Sequence, residues 1–341
     1  MGSGSTYLGK LSDRFTGVLD INDAGQVVGY STTADNSYHA YITGPNGVGI
    51  TDLGTLGGNV SYAYGINNSG QVVGESATSD GSFHAYITGP NGVGMTDLGT
   101  LGGTFSSASG INDAGQVVGR STTADGSSHA FITGPDGVAM TDLGTLGGTS
   151  SGASGINDAG QVAGTNTFAD GSSHAFITGP DGVGMTDLGT LGGTESFASG
   201  INDAGQVAGT SATADSSIHP FITGPDGVGM TDLGTLGGHF AVAFDINNSG
   251  QVIGESATAD SGTLGFITGP NGMGMIDVHS YADLPNELML SAPSGINNLG
   301  QVISVASIPE PASYALMLAG LGLVGLMTRR KKPTDKSITR G

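Results

Sequence analysis

Short apolar runs separated by turn residues recur along the whole chain. One clear copy, residues 140–179, holds four such runs: M-T-D-L-G-T-L, a segment ending in A-S-G-I-N, then Q-V-A-G, and H-A-F-I-T. Asn, Asp, Gly and Pro stand between the runs, where they favour tight turns. The body contains no stretch with the apolar spacing of an amphipathic helix. The pattern therefore predicts an all-β body of short strands joined by hairpins.

The landmarks of this pattern stand 45 residues apart. The isoleucine of the I-N-[DN] tripeptide recurs as Ile21, Ile66, Ile111, Ile156, Ile201 and Ile246. Four antiparallel strands in about 45 residues match the size of a propeller blade. We therefore predict tandem four-stranded repeats that form a β-propeller of seven blades. Six blades is the alternative count, and an open β-solenoid is the rival architecture. Small residues should allow the sheets to pack closely, as at Ala153, Gly155 and Ala163.

The period divides the chain into a leader (1–6), a β-repeat domain (7–307) and a C-terminal tail (308–341). Tyr7 lies one period before Asp52, so the array is already under way there. A truncated natural N-terminus is therefore a further hypothesis. The seventh repeat has five extra residues within 279–293. We expect them to form a projecting loop or a short helix.

The charge of the chain is strongly asymmetric. There are 29 acidic and 9 basic residues, for a net charge of −20, and six of the basic residues fall within 329–341. The acidic body should repel phosphate backbones, so nucleic-acid binding is excluded as a function. Cysteine is absent from the sequence. Disulfides and thiolate metal sites are therefore excluded too.

Two sets of recurring side chains are candidates for metal binding. A ladder of histidines could form a metal ring, but we expect packing, or a hydrogen bond to a neighbouring blade, because equivalent positions in a ring lie far apart. Asp125 and Asp170 stand in A-D-G turns and carry oxygen ligands that suit calcium. Their spacing is not that of a dedicated calcium loop, so we predict a turn role, with weak calcium binding as the alternative. The histidines are His39, His84, His129, His174 and His219.

Catalytic motifs are lacking in the sequence. It has no H-E-x-x-H or phosphate loop, and no isolated acid–base–nucleophile set breaks the periodicity. We therefore predict that the protein is not an enzyme and has no cofactor. A propeller enzyme acting on extracellular glycans or peptides in a central channel is the alternative. A carboxylate cluster or metal in that channel would favour the enzyme, and a lining of Gly, Ala, Thr and Ser would favour a binding module.

The tail has three parts: the tripeptide Pro309, Glu310 and Pro311, an uncharged apolar run over 312–327, and a basic cluster. As a helix the run spans roughly 24 Å, close to the ~30 Å hydrocarbon layer of a membrane. We therefore predict a transmembrane helix over 312–328, with its basic end in the cytoplasm and the acidic repeats outside the inner membrane. The basic cluster consists of Arg329, Arg330, Lys331 and Lys332.

This tripartite tail resembles the PEP-CTERM sorting signal of Gram-negative bacteria that make exopolysaccharide. The resemblance implies processing near Pro309, Glu310 and Pro311 by an exosortase, a membrane cysteine transpeptidase. It also implies passage through the inner membrane, followed by placement at the cell surface or in the extracellular matrix.

The body resembles the HAF-repeat extracellular proteins, with the name-giving tripeptide at 129–131 and 174–176. That resemblance implies an extracellular location and no particular activity. We therefore expect an exported surface or matrix protein with a structural, adhesive or glycan-binding role, with exopolysaccharide as a partner. A calcium-dependent lectin is a third hypothesis.

Overall fold

The structure is a computed structural model that describes residues 16–281 and 289–307. The chain divides into two compact units, one formed by Met1–Leu284 with Leu290–Val305 and the other by Pro285–Met289 with Ala306–Gly341. All strands described below belong to the first unit, apart from the terminal residues of the last two strands.

The I-N segments form the inner strand of each repeat. Seven inner strands are described: β1 (Thr16–Ile21), β5 (Gly57–Ile66), β9 (Gly102–Ile111), β13 (Ser150–Ile156), β17 (Gly192–Ile201), β21 (Gly237–Ile246) and β25 (Met289–Ile296). The Gln-Val segments form the second strands: β2 (Val27–Thr32), β6 (Val72–Thr78), β10 (Val117–Thr123), β14 (Val162–Thr167), β18 (Val207–Thr213), β22 (Val252–Thr258) and β26 (Val302–Ser307).

The histidine-bearing segments and their equivalents form the third strands: β3 (Tyr38–Thr43), β7 (Phe83–Thr88), β11 (Ser128–Thr133), β15 (Ser173–Thr178), β19 (Ile218–Thr223) and β23 (Thr263–Thr268). The outer strands are β4 (Ile50–Asp52), β8 (Met95–Asp97), β12 (Met140–Gly144), β16 (Met185–Gly189), β20 (Met230–Asp232) and β24 (Met275–Asp277). In the first six repeats these strands pair antiparallel in the order inner, second, third, outer, while β25 pairs with β26 alone among the described strands. The prediction of repeated four-stranded units is confirmed.

The turns lie where the sequence predicts them. A single 3₁₀ turn follows every third strand, and its central residue is always Asn or Asp in the left-handed region, as at Asp181 (φ 53°). Asn and Asp tolerate this conformation equally, which explains why the two alternate at this position. The turns are Pro45–Gly47, Pro90–Gly92, Pro135–Gly137, Pro180–Gly182, Pro225–Gly227 and Pro270–Gly272.

The M-T-D-L-G-T-L run is shorter as a strand than its apolar pattern predicts. Its strand covers only three to five residues, as in β8 and β12. The glycine of the run has positive φ (Gly99, φ 70°), which turns the chain away from the sheet edge.

The core lies between successive sheets. Val118, Ala130 and Ile132 of the third repeat pack against Val162 and Phe176 of the fourth. Equivalent residues repeat this contact between the other sheets. The small residues Ala153 and Ala163 are buried, as predicted. Each sheet thus buries one face against the next, as a stacked repeat requires.

A glycine in the second strand of each of the first six repeats permits the close pairing with the inner strand. A Cβ added at Gly74 would lie 1.9 Å from the carbonyl oxygen of Tyr62, which no side chain tolerates. The seventh repeat contacts the first in the same way as neighbouring repeats do, because Ile303 packs with Val18, Ile21 and Val27. The short helix α1 (Val278–Tyr281) contains the first three residues of the segment 279–293, which holds the five extra residues of the seventh repeat.

Candidate functional site

A closed ring of seven buried asparagines joins the inner strands at the mouth of a central cavity of about 170 Å3. Each side-chain oxygen accepts the backbone N–H of the glutamine four residues later. Each Nδ2 donates to the Oε1 of that glutamine and to the main-chain carbonyl of the next asparagine. For Asn157 the last two distances are 2.8 Å to Gln161 and 3.0 Å to Asn202. The ring consists of Asn22, Asn67, Asn112, Asn157, Asn202, Asn247 and Asn297.

The same bond closes the ring. Asn297 Nδ2 donates to the carbonyl oxygen of Asn22 at 2.9 Å, across 275 residues of sequence. All side-chain donors and acceptors of these asparagines are thereby used, which stabilises buried polar groups. The recurring I-N dipeptide therefore marks the joint between repeats.

A second ring lies directly after the first. In each repeat the next residue, Asp or Asn, accepts the backbone N–H of its counterpart in the preceding repeat. Three asparagines also donate to a neighbouring aspartate, as Asn298 Nδ2 does to Asp23 at 3.1 Å. Asp158 instead lies between Asp113 and Asp203. Its pKa is raised, chiefly by burial and to a smaller extent by the charges of these two aspartates. The ring consists of Asp23, Asn68, Asp113, Asp158, Asp203, Asn248 and Asn298.

Two carboxylates line the cavity at a position that is otherwise glycine. Asp20 and Asp245 occupy the place before the inner-strand isoleucine, and each accepts the N–H of that isoleucine and of its counterpart in the next repeat, Ile66 or Ile296, at 2.7–2.9 Å. Burial raises the pKa of Asp245 to about 6. Burial and the charge of Asp245 raise the pKa of Asp20 to about 8. The five glycines are Gly65, Gly110, Gly155, Gly200 and Gly295.

A group of tyrosines, here called the tyrosine cluster, lies between the first and second repeats. Tyr30 meets Tyr62 edge-on, with ring centres 5.0 Å apart. Tyr38 meets Tyr30 edge-on at 5.7 Å and stacks near Tyr62 at 6.3 Å. Tyr64 stacks on Tyr62 at 6.2 Å, and its hydroxyl donates to Glu75 at 3.2 Å. Tyr38 is 36% exposed and the others are partly exposed.

The histidine ladder is explained by five equivalent histidine–aspartate contacts at hydrogen-bond distance. In each, Nδ1 of the histidine lies 2.8–2.9 Å from the outer-strand aspartate, as His129 does from Asp142. Both residues belong to the same sheet, since the third and outer strands form a hairpin. The expected bond to a neighbouring blade is therefore replaced by a bond within the blade. The pairs are His39–Asp52, His84–Asp97, His129–Asp142, His174–Asp187 and His219–Asp232.

The two candidate calcium ligands, Asp125 and Asp170, accept hydrogen bonds from residues of the turns in which they lie. Asp125 accepts hydrogen bonds from the Thr123 hydroxyl and the Ser127 N–H, which lower its pKa to about 2. Asp170 accepts from the Ser172 hydroxyl and N–H, and its pKa is lowered for the same reason. Among the described residues no group of three or more acidic or histidine side chains is arranged to hold a metal. Weak calcium binding, the alternative to the predicted turn role, stays untested.

The sorting tail lies outside the described residues. This applies to Pro309, Glu310 and Pro311, to the helix predicted over 312–328, and to the basic cluster 329–332. Within 16–281 and 289–307, no helix has the length and apolarity needed to cross a membrane.

Solved structures with a similar fold are β-propellers. A prolyl endopeptidase structure matches with a TM-score of 0.58 at 12% identity, over 84% of this chain and 49% of that one. The putative TolB from Agrobacterium tumefaciens matches with a TM-score of 0.51 at 13% identity, over 75% and 90%. TolB from Acinetobacter baumannii matches with a TM-score of 0.50 at 11% identity, over 72% and 61%, so the chain spans less than two thirds of that protein. The likeness shows a β-propeller fold.

The tail gives a more particular match. Residues 307–331 match the PEP-CTERM protein-sorting motif, which includes Pro309, Glu310 and Pro311. The chain therefore carries the signal of an exported protein that is processed by exosortase. No curated protein sequence matches the chain. The resemblance to HAF-repeat proteins stays a prediction.

Proposed function

We propose that this protein is sorted through its tail to the cell surface or extracellular matrix, where its propeller has a structural, adhesive or glycan-binding role. The observation that carries this proposal is the sorting motif at 307–331, which begins at the last residue of β26. The acidic body and the closed ring of hydrogen bonds support a soluble, rigid module outside the cell. Exosortase, the membrane and exopolysaccharide are the proposed partners.

Sorting is tested by expressing the full chain in a Gram-negative host with and without exosortase. We expect the protein in the surface or matrix fraction only when exosortase is present, and in the inner membrane when it is absent. Glu310→Ala should have the same effect as removing exosortase. Glu287→Ala, another acidic change outside the motif, is the matched control. The proposal would be refuted if the protein reached the surface equally well without exosortase and in the Glu310→Ala variant.

A propeller enzyme acting on glycans or peptides is the second candidate, and the Asp20–Asp245 pair favours it. A carboxyl group with a pKa near neutrality suits a general acid or base. However, each of these carboxylates already accepts two main-chain N–H groups, one from its own inner strand and one from the next, and so links two neighbouring repeats. Incubation of the full chain with oligosaccharides and peptides tests this candidate. Product formation that is lost in Asp245→Gly would establish it.

A further inference from the structure

We propose that the tyrosine cluster is a binding site for a neutral saccharide chain. This inference deepens the proposed function, because it assumes that the surface role includes glycan binding. It assigns the ligand class to one side of the propeller, between the first and second repeats.

The chemistry of the cluster fits a sugar. Tyrosine offers a large, rigid and amphipathic surface and loses little conformational entropy on binding. A sugar ring likewise has apolar C–H faces and a polar rim. Tyr38 presents the most exposed ring, Tyr62 connects it to Tyr30 and Tyr64, and the Glu75 carboxylate beside Tyr64 accepts hydrogen bonds. The cluster thus offers aromatic ring faces together with a carboxylate that can accept hydrogen bonds from sugar hydroxyls.

The charge of the surroundings selects a neutral chain. Arg120 is the only lysine or arginine among the described residues, and it lies over the ring of Phe105 in the third repeat. The cluster itself contains Glu75. A polyuronate or other polyanion would therefore meet repulsion without a compensating cation.

The other repeats show that the fold does not require these tyrosines. The positions of Tyr30, Tyr38 and Tyr62 hold small polar residues or glycine in the fourth repeat, which has the same strands and turns. An aromatic group assembled from two repeats at positions that are free to vary points to a role in binding. The fourth-repeat equivalents are Thr165, Ser173 and Gly152, and the third repeat has Ser107 in place of Tyr62.

The repeats also supply the test variant. Tyr30→Thr, Tyr38→Ser and Tyr62→Ser combined place in the cluster residues that the same fold accepts elsewhere. Phe197→Ser is the matched control, because Phe197 is the equivalent of Tyr62 in the fifth repeat and is 43% exposed. The urea midpoint of each variant confirms that it is folded.

The probes are cellohexaose, laminarihexaose and maltohexaose, with hexagalacturonate as the anionic comparison. Binding to the full chain in mild detergent is measured by calorimetry. Tyrosine fluorescence gives a second readout, because the chain has no tryptophan. We expect at least one neutral probe to bind and hexagalacturonate not to bind. The triple variant should bind about 30-fold more weakly, as for loss of a binding hot spot, and Phe197→Ser should bind like the parent.

Three results would overturn the inference. If the folded triple variant binds as tightly as the parent, the site is elsewhere, while glycan binding as a function survives. If hexagalacturonate binds as well as the neutral probes, the charge argument is wrong. If none of the neutral probes binds the parent, both the inference and the glycan-binding role fail, and sorting to the surface is judged separately by the exosortase experiment.

Discussion

The third to fifth repeats and the sixth, first and second repeats share one fold but differ in what they add to it. In the third to fifth repeats, the inner strands carry Ser-Gly before the isoleucine, as at Ser154 and Gly155. In the first, second and sixth repeats, the same two places hold Leu19-Asp20, Tyr64-Gly65 and Phe244-Asp245. The backbone and the asparagine ring are alike in both regions.

This difference separates the residues that build the propeller from those that can specialise. The asparagine ring, the second-strand glycine and the buried third-strand aromatic occur in all of the first six repeats, so they are requirements of the architecture. Tyr38, Tyr62 and the two cavity carboxylates, Asp20 and Asp245, occur at positions where the other repeats have different residues. The departures are grouped on one side, which gives a nearly symmetric molecule one chemically distinct region.

The largest effect is expected when a ring asparagine is removed. Asn157→Ala deletes three buried hydrogen bonds: the two that its Nδ2 donates to Gln161 Oε1 and to the carbonyl of Asn202, and the one that its Oδ1 accepts from the Gln161 N–H. The free energy of unfolding should fall by about 3 kcal/mol, measured by urea titration. Asn297→Ala is the matched variant at the closure and should cost as much. A clearly smaller loss at Asn297 would mean that the ring is open in solution.

Asp20 and Asp245, the two carboxylates that line the cavity, should make the free energy of unfolding fall as the pH rises. The pKa of Asp20 is about 8 in the folded chain against 3.8 in the unfolded chain. Between these values the folded chain holds a proton that the unfolded chain has lost, so unfolding becomes easier from about pH 4 to about pH 8. Asp20→Gly should remove part of this decline, on the order of 2 kcal/mol once partial exposure is allowed for.

The measurement compares urea midpoints of the parent and Asp20→Gly at pH 5, 7 and 9. Asp125→Asn is the control, because the pKa of Asp125 is about 2 and its ionisation lies outside this range. Equal pH slopes in the parent and Asp20→Gly would show that Asp20 is ionised throughout.

A smaller effect separates two core tyrosines. The buried hydroxyl of Tyr86 has no hydrogen-bond partner among the described residues, whereas that of Tyr41 donates to the carbonyl of Gly17 at 3.1 Å. Tyr86→Phe should therefore stabilise the protein by about 1 kcal/mol, and Tyr41→Phe should destabilise it by a similar amount. Thermal unfolding of the two variants checks the sign. A loss of stability in Tyr86→Phe would indicate a bound water at that hydroxyl.

The smallest effect is expected at the histidine ladder. His129 and Asp142 form a partly exposed pair, and such pairs contribute little. His129→Ala should change the free energy of unfolding by less than about 1 kcal/mol. His174→Ala, the same change in the next repeat, should match it. A loss of several kcal/mol would show that the pair has a larger role in holding the outer strand.

Most of the fold could be predicted from the sequence because its determinants are local and periodic. The turn residues, as at Asp181, and the small packing residues, as at Ala163, act within a few residues of their own position. The asparagine ring was missed although its signal was present, since the same I-N dipeptide recurs at the interval of the bond. The partner of His129 was misplaced because the hairpin register that sets it beside Asp142 is not visible in spacing alone.

The candidate site was harder to predict because it depends on contacts between repeats. Tyr38 and Tyr62 lie in different repeats, and only the packing of the two sheets brings their rings together. Asp20 and Asp245 could have been found by aligning the repeats, since each replaces a glycine. Their raised pKa values could not, because these come from burial in the cavity.

The closed asparagine ring also bears on how such a gene can change. Near-identical coding segments recombine unequally, and each exchange inserts or removes a whole 45-residue segment. A chain that gained or lost one segment would keep every internal joint, yet its two end strands would no longer meet at the angle that brings Asn297 to Asn22. Selection for a closed molecule would then discard most length variants, while it would tolerate single-residue differences among the copies, such as Tyr62 against Ser107.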